Sequence, residues 1–508
     1  MRLENWQRNA IGRDVPTDLL RLVVDRPSLE LGASLERLAA AELLTPTERP
    51  AICAFRHPLA HEVAYRTQLT DRRRRTHGSV ARAMLGLLGS TAGTQAALLA
   101  YHFEEAGEPL EAARWHADAG RRVGRSDPAE GIRHCQKVPA LLATLPRSRE
   151  TLTLVLTSHI ARLELGRIAG LEASEANAQF EAGREVAEQL GDPSGQAFLL
   201  TSFGRLCGLA GDVTRYVECA ERAAALAEEA DNAALAFEMH VVLAHAQLAV
   251  GRLAAAQATA EGALAALARD DELQEALEPS TAPPFCRIWW AMARAYSGHA
   301  ADAQAVLEAL LADATEGSLE VLYGTRGFLC EVLRLRGDLP GALAQGRRAV
   351  ELAGERGSPY VRVEAAAFLG SAELEAGDAV GAARVLDGAL GLARARRTAL
   401  WYEPRLLATL ADARRAAGDR SGARTLLAEA SEAVAQGRGW RLGACDVALA
   451  QVRLLASEPS PDRPALERAL DSATALAAAL DAEPYRRLAE QERASVARNQ
   501  GSGRSGGP

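Results

Sequence analysis

The chain has 508 residues, 48% of them hydrophobic but only 5% aromatic, with 66 acidic against 58 basic side chains for a formal charge of −8. Such a balance excludes a molecule that grips nucleic acid by bulk charge, and it suits helices stacked through small side chains better than a β-rich domain. Lys137 is the only lysine, which reads as codon bias towards GC-rich, bacterial DNA and not as chemistry. The seven cysteines are scattered and never form C-x-x-C, so buried packing in a reducing compartment is expected over a disulfide framework or a zinc cluster. No signal-peptide pattern opens the chain, and no uninterrupted apolar run reaches the ~18 residues of a membrane helix. The expected location is cytoplasmic.

Residues 1–90 follow no repeat. Leu19–Val24 reads as a short helix and Leu35–Leu44 as an amphipathic one. Pro46 and Pro50 bracket a turn, Ile52–Phe55 reads as a short strand, and Pro58 opens a helix through Tyr65. Helix, helix, hairpin, helix is the order of a winged-helix domain. Arg72–Arg75 is the one dense charge run. Four consecutive helical positions point in four directions, which favours solvation or an interdomain contact over a grip on one line of phosphates.

From residue 91 a different pattern begins. Gly107, Gly211, Gly251, Gly298, Gly337, Gly377 and Gly418 each have Ala, Gly or Cys seven positions earlier, and six of the seven have Ala five positions later. Asp follows four of these glycines. This is the frame of two antiparallel helices turning at the glycine, with small residues where the helices cross. Spacings from Gly211 onward are 40, 47, 39, 40 and 41 residues, longer than a minimal tetratricopeptide (TPR) unit. The longest step contains a Pro283-Pro284 loop. Between 150 and 195 the frame blurs: either Gly166 or Gly170 is the turn, and Gly191-Asp192-Pro193 closes the unit. Asp127-Pro128 starts a helix by N-cap and proline. A pair near 441–457 and 463–480 caps the array, and 499–508 reads as a disordered tail. The fold class is therefore all-α: a TPR-like helical-hairpin solenoid of about eight to ten pairs over 91–498, behind a small winged-helix-like domain.

Reaction chemistry finds no support. One lysine, flanked by Gln136 and Val138, excludes a P-loop, and no G-x-S-x-G occurs. His57 and His61 precede Glu62 in the wrong order for a zinc helix. No catalytic, cofactor-binding or metal-binding residue is assigned, and neither a cofactor nor a small-molecule substrate is expected. Partner binding is expected on the concave face. The usual lining positions give Arg205, His245, Met292, Tyr296, Glu331, Arg334, Glu364, Ser371, Arg405, Asp412 and Arg415. Their mixed signs suggest a broad polar protein surface and no concentrated cation clamp. Trp290 falls on an inter-helix packing position, while Trp401-Tyr402 is undecided between core and anchor.

A resemblance is carried by residues 52–84, where Phe55-Arg56-His57, Leu59, Glu62, Ala64-Tyr65, the arginine run and His77 form a block. The block is similar to one in bacterial class III adenylate/guanylate cyclase-type regulators and related STAND ATPases, and the similarity extends over roughly 10–135. It implies a winged helix following a P-loop ATPase and opening a TPR array, with the ATPase and cyclase domains lying before residue 1. It also implies an interdomain contact at His57 and Arg72–Arg75. The implied role is a non-catalytic protein-interaction and sensor arm, partnered by an ATPase/cyclase module in cis or trans. The alternative is a DNA-associated transcriptional regulator using the winged helix and Arg72–Arg75; membrane contact is not expected.

Overall fold

A computed structural model describes residues 14–24, 28–46, 52–124, 126–278, 280–313 and 319–502. The chain divides into two compact units, Met1–Leu165 with Glu185–Leu190, and Gly166–Arg184 with Gly191–Pro508.

The first unit opens with β1 (Asp14–Pro16), α1 (Thr17–Val23), α2 (Ser28–Ala40), β2 (Leu44–Pro46), β3 (Ile52–Phe55) and α3 (Pro58–Arg66). The strands form an antiparallel sheet of order β1-β3-β2, pairing Val15 with Cys53 and Thr45 with Ala54. The expected strand is present and pairs antiparallel with β2, while the turn expected between Pro46 and Pro50 lies outside the described residues. β1 was not foreseen, because three residues ending in Pro16 carry no alternation to read. The second helix runs earlier than its expected span, ending at Ala40 and leaving Leu44 in a strand. Next come α4 (Thr70–Leu88), a 3-10 segment (Gly89–Gln95), α5 (Ala96–Ala106), α6 (Pro109–Val123), α7 (Pro128–Leu142) and the start of α8 (Arg149–Ala169). Leu19, Val80, Met84, Leu99 and Phe103 make the core joining α1 to α4 and α5. Among the described residues one stretch, Thr70–Ala106, is long and apolar enough to cross a membrane by length and composition alone, with a mean hydropathy of 1.3 over an 18-residue window. The 3-10 segment breaks it into α4 and α5.

The second unit takes in much of α9 (Ala173–Leu190) and then α10 (Pro193–Leu209), α11 (Val213–Glu229), α12 (Ala233–Ala249), α13 (Leu253–Leu267), α14 (Asp271–Leu277), α15 (Ala282–Tyr296) and α16 (Ala300–Asp313). It continues with α17 (Leu319–Leu335), α18 (Leu339–Arg356), α19 (Pro359–Glu375), α20 (Ala379–Arg396), α21 (Glu403–Ala416), α22 (Arg420–Ala435), α23 (Arg441–Ala456), α24 (Arg463–Ala479) and α25 (Glu483–Ser502). All seven frame glycines have positive φ, which explains why glycine ends the first helix of each pair. After four of them the aspartate caps the second helix: the side chains of Asp212, Asp338, Asp378 and Asp419 accept from backbone N–H groups three residues on. The small residues do sit at the crossings. A Cβ on Gly204 would lie 2.7 Å from Cys219, and one on Gly370 would lie 2.5 Å from Leu386.

One open choice is settled and three details differ from the expectation. Gly170 is the turn between α8 and α9, with φ of +81°. Pro283 and Pro284 form the first turn of α15, and the added length of that step is the extra helix α14. An unforeseen α25 follows the expected capping pair. Its last residues, 499–502, take the first four positions of the expected tail, whose remainder lies outside the described residues.

Candidate functional site

The glycine frame selects the first helix of each pair, and in the second unit these helices (α10, α12, α15, α17, α19, α21) pack in succession, with α23 continuing the row beyond the last frame glycine. The curve is tight enough to close. The backbone N–H of Gly439 donates to the Gly211 carbonyl at 2.9 Å, Arg397 pairs with Glu172 across 225 residues of sequence, and the rings of Tyr296 and Tyr485 stack at 6.4 Å.

Closure changes what the lining positions become. Instead of a broad exposed polar surface, nine of the eleven are buried and fill an interior, while Arg205 and Arg415 are only partly covered. Nor are they dispersed. Glu331, wholly buried, accepts from Arg334 Nε at 2.8 Å, from Arg405 at 2.7 Å and from the Tyr296 hydroxyl at 3.1 Å. Arg405 also reaches Ser371 at 3.3 Å. Asp412 accepts from Arg415 at 3.1 Å and from Arg453 at 2.7 Å, and Arg453 continues to Glu492. Burial opposes the charge on Glu331, but the two guanidiniums outweigh it and hold the carboxyl well below the usual range. Met292 is buried apolar packing.

Aromatic rings form the other half of this interior. His245 stacks on Trp289 at 4.2 Å, takes part in a 2.8 Å hydrogen bond with the Tyr216 hydroxyl, and lies 5.3 Å from Trp401 and 5.7 Å from Trp440. Burial drives its pKa down to about 3, so it is neutral. Tyr402 donates to Glu364 at 2.8 Å. Among the described residues the indole N–H groups of Trp401 and Trp440 and the Nε–H of Arg405 are buried without an acceptor. Trp401 and Tyr402 are thus interior. Trp289, not Trp290, faces it; Trp290 is half-buried and donates to Glu261 on α13 at 2.9 Å. Arg453, Tyr485, Trp440 and Glu492 escaped the sequence reading because they sit beyond the last frame glycine, Gly418.

In the first unit, two histidine pairs stitch consecutive helices: His77 to His102 between α4 and α5, and His116 to His134 between α6 and α7. His57 is exposed at the N-terminus of α3, and the side chain of His61 lies outside what is described. The arginine run divides as helical geometry requires. Arg72, Arg74 and Arg75 are exposed, whereas Arg73 lies 5.4 Å from the Tyr65 ring.

These features define a TPR-like superhelix of helical hairpins whose inner face is a packed polar and aromatic interior. The crystal structure of a Rap protein complexed with competence and sporulation factor is similar over 76% of this chain and 99% of that one, at 11% identity and a TM-score of 0.52. NprR in complex with its cognate peptide matches over 72% and 98%, at 14% identity and 0.49. A STAND protein with a tetratricopeptide repeat sensor from Pyrococcus horikoshii matches over 82% and 60%, at 11% identity and 0.45. No protein-family model and no curated protein matches the chain.

Proposed function

We propose that the chain is a non-catalytic sensing and interaction arm of a signalling regulator, and that the interior of the second unit reads a peptide or an extended segment of a partner protein. The observation that carries this is the convergence of side chains from separate first helices, with buried donors still lacking acceptors. Unpaired buried donors cost free energy, and a bound backbone would supply the missing carbonyls. The Rap likeness supports the reading, since that protein was crystallised in complex with competence and sporulation factor. In the same reading the N-terminal segment is a winged-helix-like domain of the cyclase-type STAND class. Its exposed His57, Arg72, Arg74 and Arg75 face an ATPase module supplied in cis or trans. The placement of Arg73 against Tyr65 weakens the DNA-associated alternative, because it withdraws one charge from any phosphate contact.

Panning a phage library of random linear peptides against the full chain tests the proposal, followed by hydrogen exchange with the selected peptide. Enrichment with slowed exchange on α17, α19 and α21 is expected. Failure to enrich any sequence, or protection confined to the first unit, would overturn it.

A further inference from the structure

Among the described residues of the second unit five carboxylates are buried; Glu373 forms no ion pair, and Glu331, Glu403 and Asp412 each pair with an arginine. Glu364 does not. It is 4% exposed, and among the described residues its one side-chain hydrogen bond comes from the Tyr402 hydroxyl. Burial pushes its carboxyl up to about 7, the Tyr402 bond opposing. A buried carboxyl with no counter-ion is costly, and a neutral amide could accept from the Tyr402 hydroxyl as well.

Its surroundings are those that cations favour. Tyr360 and Phe368 lie one turn before and after Glu364 on the same face of α19. Tyr360 meets Trp401 edge-on at 6.1 Å, and Phe368 meets Tyr402 at 5.9 Å. Trp440 closes on Tyr402 at 5.3 Å. Aromatic faces attract ammonium and guanidinium groups through their quadrupoles, more strongly when water is excluded. Arg405 lies 5.1 Å from the Phe368 ring, but its charge is matched by Glu331. The unpartnered indole N–H groups of Trp401 and Trp440 are an independent sign of a missing ligand, this time one bearing acceptor oxygens.

We infer that Glu364, Tyr402 and the Trp401–Trp440 rings form the recognition site for a cationic side chain, arginine or lysine, of the bound peptide, with the two indoles donating to its backbone carbonyls. This rests on the peptide-reading function proposed above and specifies its ligand.

The test uses peptides selected by panning on the full chain, measured by calorimetry against the wild type and Glu364→Gln. Selected peptides should share a basic residue. Replacing that arginine by citrulline, or that lysine by norleucine, should weaken binding at least tenfold on the wild type and change little on Glu364→Gln. The variant should also weaken the parent peptide at least tenfold while melting at a higher temperature than the wild type at pH 8. That combination is foreign to a merely structural residue. Selected peptides lacking a basic residue, or equal affinity for Glu364→Gln, would sink this inference and leave the peptide-reading function standing. No selected peptide at all would remove both.

Discussion

The Nδ1 atoms of His77 and His102 lie 2.9 Å apart, and this geometry needs one ring to donate and the other to accept. The 2.8 Å pair of His116 and His134 repeats it. Two imidazolium rings cannot occupy either place, so both pairs hold together only while at least one ring of each is neutral.

The first unit should therefore lose stability in acid. His77 is faced by Tyr65, Arg73, Glu105 and His102; His116 by Glu104, His134 and Lys137; His134 also by Glu130 and Arg133. Burial is the largest influence on all four histidines and lowers each pKa, to about 3 for His102 and about 4 for His116. The unfolded rings accept protons near pH 6.5, so their contribution is complete above that value and is lost as pH falls towards the folded values. The slope is about 1.4 kcal/mol per pH unit for each histidine that stays neutral. Calorimetry of the full chain from pH 7.5 to 4.5 should show a falling transition for the first unit; a pH-independent one would refute the argument.

The second unit should respond in the opposite sense. Burial raises Glu364 to about 7 and Asp446 to about 6, each bonded to a tyrosine hydroxyl. Acids with raised folded pKa values stabilise fully below their unfolded values and lose that contribution as pH rises through the folded ones. Below pH 6.5 the buried, neutral His245 pulls the other way, so the loss should show between pH 6.5 and 8, on the order of 1 kcal/mol, and Glu364→Gln should flatten it. Urea titrations at several pH values would measure both.

Breaking the Glu331 network from one side should cost more than removing a pair. Glu331→Gln leaves Arg405 buried with weakened compensation, a loss of about 3–5 kcal/mol. Glu331→Met combined with Arg405→Met should cost less than the sum of the single changes, since the desolvated charges leave together. Additive losses in denaturant titration would show that the two residues do not act as a unit.

The glycines divide by location. Gly370→Ala forces a Cβ to within 2.5 Å of Leu386 and should cost about 1–3 kcal/mol. Gly388→Ala, on the exposed face of α20 with nothing within 4 Å, should stabilise by about 0.5–1 kcal/mol. Melting temperatures that move in the same direction for both would contradict the assignment of the crossing positions.

The repeat was legible because it is local: a glycine, an aspartate cap and two small residues report one hairpin at a time. The same frame picked Tyr296, Glu331, Arg334, Ser371 and Arg405 as inward-facing, and the structure joins these five in one network. What the frame could not carry was curvature. Small angular increments at each crossing decide whether Gly211 meets Gly439, and no spacing encodes their sum. Hence a groove was expected where an interior formed. Short elements such as β1 and α14 lacked the length over which a period shows.

The Gly211–Gly439 backbone bond also bears on how the array comes apart. Open solenoids, whose repeats touch only neighbours, can fray from either end. Here the earliest hairpins of the second unit borrow partners from the latest, so deleting residues 439–502 should unseat α10 and α12 as well. Melting of the second unit should then approach a single all-or-none step, and its refolding should be slowed by the long loop that must close first.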